Sequence, residues 1–317
     1  MTLKAAIEQR YPHNGGRVPA MRERIIEVAQ AYLDAGQGDV NALQRLCSTD
    51  EFMYWQQLSE VLLGYQLGEA GITFTHQAAG PDFLIEREGR RIWVEVITPT
   101  PTGIPANWLA PAEINGVRDF PHEQILLRWT AAIKQKAEVL LGQRGQHAGY
   151  LGGGIVGADD CYVIAVNARL LRGYGGTFTE LTGISQWPFA VEATLAIGPL
   201  QVRINRDTLE SSEPEHQQRY VIHKPVGQPV PADTFLDERF APISAIWAAD
   251  IDEMTLLDRP ASMVVVHNPR ATHTLPLGLL PAQEEYRAAV LDDEHYQLER
   301  IQGISAQAQE ISVTVEP

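Results

Sequence analysis

Cysteine is nearly missing: Cys47 and Cys161 are the only two in 317 residues. Two cysteines cannot build a disulfide framework or a cysteine-rich zinc site. No apolar run approaches the roughly 18 residues that a spanning helix needs. The opening MTLKAAIEQRYPHNGG lacks the apolar stretch of a signal peptide. A cytoplasmic location with no membrane contact is therefore expected. Positive charge is also scarce: 25 Lys and Arg stand against 40 Asp and Glu, a net charge of −15. Such a chain is not expected to coat duplex DNA non-specifically, because that affinity comes from neutralising phosphates. Nucleic acid stays open as a substrate, since a local basic strip or a cation held by carboxylates can receive a phosphate. The acidic balance also suggests a basic protein partner that delivers the substrate. The glycine runs at 152–154 and 173–176 lack the Gly-Lys-Ser/Thr ending of a phosphate loop. His122, His147, His216 and His223 lack metal-ligand spacing. There is no Gly-x-Ser-x-Gly elbow.

What is present is ordinary for a globular chain, 44% hydrophobic and 21% charged. Residues 1–48 read as helical, with pieces at 22–35 and 40–47. A longer helix is expected over 50–69, where Phe52, Trp55, Leu58, Leu62 and Tyr65 recur every three or four positions. A short strand is expected at 72–76. Residues 82–97 form the clearest hairpin, with a two-residue turn at Glu88-Gly89. Five prolines make 98–121 a loop, and 122–141 reads as a strong helix. Seven glycines over 142–160 suggest a mobile connection. Beyond it the pattern turns to strands, at 161–168, 189–197, 200–204, 220–223, 243–248 and 262–267, with a short helix at 284–290. The order of elements predicts an α/β fold, a mixed β-sheet flanked by helices. An N-terminal helical region (1–48), a core (50–170) and a C-terminal β-rich extension (171–317) that packs on or continues the core sheet are the expected divisions.

The hairpin register brings chemistry into view. With Glu88-Gly89 as the turn, Arg87 faces Arg90, Leu84 faces Trp93, and Asp82 faces Glu95. Two carboxylates directly opposite destabilise a sheet. A shared proton, a neighbouring cation or a bound metal would compensate. Moving the turn to Gly89-Arg90 leaves the pair diagonal on one face, about 7–8 Å apart. The competing reading is a solvent-facing acidic pair, but Leu84, Trp93 and Ile97 share that face. Helix 122–141 holds a second anomaly. Ile125, Trp129, Ala132, Ile133 and Leu140 form an apolar stripe, and Lys136 falls inside it. A lysine there must snorkel, lose its proton or find a carboxylate; the Asp82/Glu95 face is the candidate. Glu60, between Leu58 and Leu62, is a third acid, with a solvent-facing role as the alternative. Carboxylates with a lysine can hold Mg²⁺ or Mn²⁺ and act on a phosphodiester. Arg87, Arg90, Arg91, Arg128 and Lys134 are available for backbone contact.

Glu60, Gly80-Pro81-Asp82 and Val94-Glu95-Val96 together resemble the PD-(D/E)xK nuclease superfamily, over about residues 50–170. The resemblance implies a restriction-endonuclease-like core and a divalent-metal-dependent hydrolase acting on DNA or RNA. It implies metal ligands at Asp82, Glu95, the carbonyl of Val96 and, directly or through water, Glu60. The chain departs from the pattern at Glu95-Val96-Ile97, where Ile97 replaces the motif lysine. Lys136 is the candidate replacement, giving an expected catalytic set of Glu60, Asp82, Glu95 and Lys136. The alternative is a catalytically inactive interaction protein on the same core.

Overall fold

The computed structural model describes residues 1–87, 89–111, 118–143, 147–174, 181–224, 226–290 and 296–302. Four helices come first: α1 (Leu3–Arg10), α2 (Val18–Asp34), α3 (Ala42–Leu46) and α4 (Glu51–Glu69). Asp50 caps α4 by accepting from the Met53 N–H at 2.8 Å. The middle of α4 is buried nearly all round, as an interior helix is.

The hairpin follows as β1 (Phe83–Arg87) and β2 (Arg90–Ile97). Its pairs are Arg87 with Arg90, Leu84 with Trp93 and Phe83 with Val94, the register of a two-residue turn. Gly89 sits in that turn at φ +75°, a conformation that favours glycine; Glu88 lies outside the described residues. Next come α5 (Ala106–Leu109), α6 (His122–Leu141), α7 (Gly149–Gly152) and β3 (Cys161–Asn167). The rest of the chain supplies α8 (Phe189–Thr194), β4 (Ile197–Gln201), β5 (Glu215–Gln218), β6 (Val221–Ile222), β7 (Val230–Pro231), β8 (Ala245–Asp250), β9 (Ser262–His267), β10 (Glu284–Val290) and β11 (Tyr296–Gln302).

Seven strands form one mixed sheet in the order β1-β2-β3-β8-β9-β10-β11, while β4 with β5 and β6 with β7 make small ribbons. β2, β3 and β8 are parallel, as are β9 and β10. Side chains alternate between two cores. Leu84, Trp93, Ile97, Tyr162, Ile164 and Val166 pack with Ile125, Trp129 and Ile133 of α6. Phe83, Ile85, Val94, Val96, Val163 and Ala165 pack on the other face with Leu58, Val61 and Leu62 of α4. The sheet is therefore covered on both faces, which explains the nearly unbroken apolar run of β3. Among the described residues no helix is long and apolar enough to cross a membrane.

Three local expectations are corrected. Residues 189–194 are helix α8 rather than strand, buried all round and started after Pro188; a short apolar run shows no periodicity that separates the two. Residues 284–290 are strand β10 rather than helix, paired on both sides by β9 and β11. Residues 72–76 contain no strand, only a bridge from Thr75 to Leu84. Within 142–160 the described residues hold a bridge from Gln143 to His147 and the short helix α7.

Candidate active site at the open edge of β2

β1 stops one residue short of Asp82, while β2 runs on to Ile97. Leu84 turns its N–H and C=O outward to Thr75, at 2.8 and 2.9 Å. Phe83 and Ile85 therefore bond inward to β2, and the backbone of Val96 and Thr98 points to the same, now strandless, side. Unpaired backbone groups at that depth need partners. Side chains supply them. Asp82 Oδ2 accepts from the Val96 N–H at 2.6 Å. Gln56, from α4, donates through Nε2 to the Val96 carbonyl at 3.2 Å and accepts from the Thr98 N–H at 3.0 Å. A carboxylate and an amide thus stand in for the missing strand, and Asp82 lies next to the Phe83–Val94 pair on the side of Glu95.

Glu95 projects toward α6 with Trp93 and Ile97 and is 5% exposed. Lys136 Nζ donates to its Oε1 at 2.5 Å. The lysine in the apolar stripe has found a carboxylate. The hydroxyl end of Tyr150, on α7, also faces Glu95. Glu60 is 6% exposed, which removes the solvent-facing alternative. Its Oε2 accepts from Gln57 Nε2 at 2.7 Å; Gln57 in turn accepts from Arg45 Nε at 2.8 Å, and Arg45 pairs with Asp39.

Burial drives the electrostatics. It raises the Glu60 carboxyl well above its usual range, and the neighbouring Asp82 charge adds to the rise. It raises Asp82 too, against the pull of Lys136 and the Val96 N–H. Glu95 is pushed up to about 7, first by burial and then by Asp82, although Lys136 opposes the shift. For Lys136, burial works against the ammonium, but Glu95 and Asp82 outweigh it and hold its pKa above normal. Lys136 touches Glu95 and feels the charges of Asp82 and Glu60, so when the three carboxyls are ionised negative charge is in excess. Hard oxygen donors with surplus negative charge fit Mg²⁺ or Mn²⁺ in chemistry. Among the described residues, no three acidic, His or Cys side chains are grouped closely enough to grip an ion as they stand.

Several contributors were not singled out from the sequence: Gln56, Gln57, Arg45 and Tyr150. A signal existed in α4, where Gln56, Gln57, Ser59 and Glu60 interrupt an otherwise apolar stretch. Ser59 extends the pattern. Its Oγ receives Thr98 Oγ1 at 2.7 Å and Asn167 Nδ2 at 2.9 Å, and Asn167 also reaches the Ile251 carbonyl at 3.1 Å. This buried ladder ties α4 to the ends of β2, β3 and β8.

The candidate phosphate contacts are mostly engaged elsewhere. Arg90 donates to the Thr274 carbonyl at 3.3 Å, and Arg91 pairs with Asp160 at 3.4 Å while lying over Trp93. Lys134 sits 3.8 Å from Glu138.

Tyr150 is delivered by a tight backbone crossing. Gly142 and Gly149 both have positive φ, +80° and +69°. A Cβ on Gly149 would strike the backbone of Gly142 and Leu140. Gly149→Ala is therefore expected to cost roughly 2 kcal/mol or more, from strain and clash together, and to lower the thermal midpoint by about 4 °C. An unchanged midpoint would mean that the crossing does not hold Tyr150 in place.

No family model matches the chain, and no match was found among curated proteins or solved structures.

Proposed function

We propose that the chain is a divalent-metal-dependent nuclease that hydrolyses phosphodiester bonds of DNA or RNA. The observation that carries this reading is the meeting of Asp82, Glu95 and Lys136 at the open edge of β2, with Lys136 2.5 Å from Glu95. The PD-(D/E)xK resemblance supports it, because Lys136 brings an ammonium to the glutamate whose own motif offers only Ile97. Asp82 and Glu95 would hold the cation with the Val96 carbonyl, and Glu60 would join directly or through water. The chemistry that Mg²⁺ or Mn²⁺ would supply at these residues is acidification of a water and neutralisation of charge on the phosphoryl oxygens. Lys136 keeps Glu95 oriented and places positive charge where the pentavalent phosphorus gains negative charge. Gln56 and the Asp82 contact fix the Val96 peptide, while the carboxylates would have to turn from their present donors to grip the ion.

Cleavage of single-stranded DNA, duplex DNA and RNA with Mg²⁺ or Mn²⁺ tests the reading, comparing wild type with Lys136→Met. Metal-dependent cleavage that falls by about 100-fold or more in the variant is expected, the scale of losing one preorganised donor. Absence of cleavage on all three polymers by wild type would overturn the proposal.

A second reading, an inactive nuclease-fold interaction protein, is favoured by one observation. Asp82 Oδ2, Glu95 Oε1 and Glu60 Oε2 each already accept from a donor within the chain. That reading expects no Mn²⁺ affinity that depends on Asp82.

A further inference from the structure

Several buried or half-buried cations among the described residues are answered by carboxylates: Lys136 by Glu95, Arg45 by Asp39, Arg219 by Glu192, and Arg259 by Asp250 and Asp252. Arg128, like Arg22 and Arg118, bonds only neutral acceptors, and of these three it is the one that shares α6 with Lys136. Among the described residues it has no acidic partner; Nε donates to the Thr100 carbonyl at 2.7 Å and Nη2 to Thr100 Oγ1 at 2.9 Å. Both acceptors are neutral, and Nη1 takes part in neither bond. Burial lowers its pKa with no acidic neighbour offsetting the shift. A half-buried guanidinium without a counter-charge, with Nη1 outside its two bonds, is available to take an anion from solution.

Its position says which anion. Arg128 and Lys136 lie on the same helix, eight residues apart, or about 12 Å along its axis. Lys136 meets Glu95, while Arg128 meets Thr100, five residues further along the chain from β2. α6 therefore runs antiparallel to the line of β2 and its exit, and ranks two cations along it. One stands at the carboxylate cluster and the other beyond the strand end. A ligand with one phosphate at the cluster cannot also reach a second point about 12 Å away, whereas a strand with a regular phosphate backbone can. Guanidinium is the side chain best matched to phosphate oxygens.

We propose that Arg128 docks a non-scissile phosphate of a nucleic-acid strand whose scissile phosphate lies at Asp82, Glu95 and Lys136. This assignment rests on the nuclease reading and makes the substrate a polymer rather than a nucleotide. The contact is to backbone phosphate, common to DNA and RNA, so the arms of the test use both.

The test measures binding of fluorescein-labelled single-stranded DNA and RNA 12-mers by anisotropy over a salt series, with Ca²⁺ as the hard cation. In Arg128→Gln the slope of log affinity against log salt is expected to become shallower by about 0.7, the value of one single-strand phosphate contact. Affinity at low salt should fall about tenfold on both polymers. Arg128→Lys keeps the charge but loses the two-pronged bond to Thr100, and it should retain the wild-type slope. Thr100→Val removes one of those bonds without touching the charge and should retain the slope as well; if Arg128→Gln fails to fold, Arg128→Met, which keeps the apolar stem and removes the charge, is read in its place with the same expected slope. A wild-type slope in folded Arg128→Gln, or a lost slope in Arg128→Lys or Thr100→Val, would overturn the assignment while leaving the nuclease reading standing. A wild type that neither binds nor cleaves any polymer would overturn both.

Discussion

Asp82→Asn is expected to lose cleavage by more than about 100-fold while the metal-free protein melts at a higher temperature than wild type. The first half follows from its place as a proposed cation ligand; even partners behind the direct ligands typically cost 10–100-fold in metal affinity or activity. The second half follows from the geometry. Asp82 Oδ2 accepts from the Val96 N–H at 2.6 Å, and an asparagine oxygen can accept the same bond. The edge of β2 therefore stays capped. What disappears is a negative charge that raises both Glu60 and Glu95. Relief of like-charge repulsion stabilises the fold, and each kcal/mol is worth roughly 2 °C in a chain of this size. Parallel melting curves and cleavage assays check both halves. A lower midpoint with lost activity would mean that the carboxylate is structural, because an inactive but destabilised protein says nothing of a ligand.

Much of this site is legible in the sequence because it rests on local periodicity. The alternation of 82–97 and the glycine at 89 fix the hairpin register, and the register aligns Asp82 with Glu95. The 3.6-residue stripe of 122–141 exposes Lys136 as out of place, and the structure resolves that anomaly by seating it on Glu95. Gln56 is illegible for a physical reason. Its role exists only because β1 ends at Phe83 and α4 crosses the vacated edge, a tertiary fact that no local pattern carries. The arginine–aspartate network of Arg172, Asp250, Asp252 and Arg259 is hidden likewise, since Arg172 lies 78 residues from Asp250 in the chain. The interchange of helix and strand at 189–194 and 284–290 has another origin. In the first, every residue is buried, so no face distinguishes 2.0 from 3.6. In the second, Glu285 is buried with its Oε2 2.6 Å from His267 Nε2, so a polar residue marks a core position and the alternation cannot be read.

Metal-free stability should fall as pH rises from 5 to 8, opposite to the behaviour of a protein held by ordinary salt bridges. Glu95 is raised to about 7 in the fold, against roughly 4.3 for an unperturbed glutamate. Between these values the folded state retains a proton that the unfolded state has released. Stability therefore drops with pH across that window, by about 3 kcal/mol if Glu95 acts alone. Glu60 and Asp82 are raised as well and push in the same direction. Glu192 and Asp252 are lowered in the fold; their contributions are lost only below the usual carboxylate range, so starting at pH 5 keeps them out of the measurement. Urea denaturation in EDTA at pH 5, 6, 7 and 8 reads the slope, and Glu95→Gln isolates the part due to Glu95 by flattening it. Mn²⁺ should reverse the trend, because the cation needs the ionised carboxylates and its binding releases their protons. At 100 times its dissociation constant it would restore about 2.7 kcal/mol, more at pH 8 than at pH 6 for a fixed concentration. Stability that rose with pH in EDTA, and was indifferent to Glu95→Gln, would mean that Glu95 is ionised and satisfied by Lys136 alone. The excess negative charge that argues for a cation would then be absent.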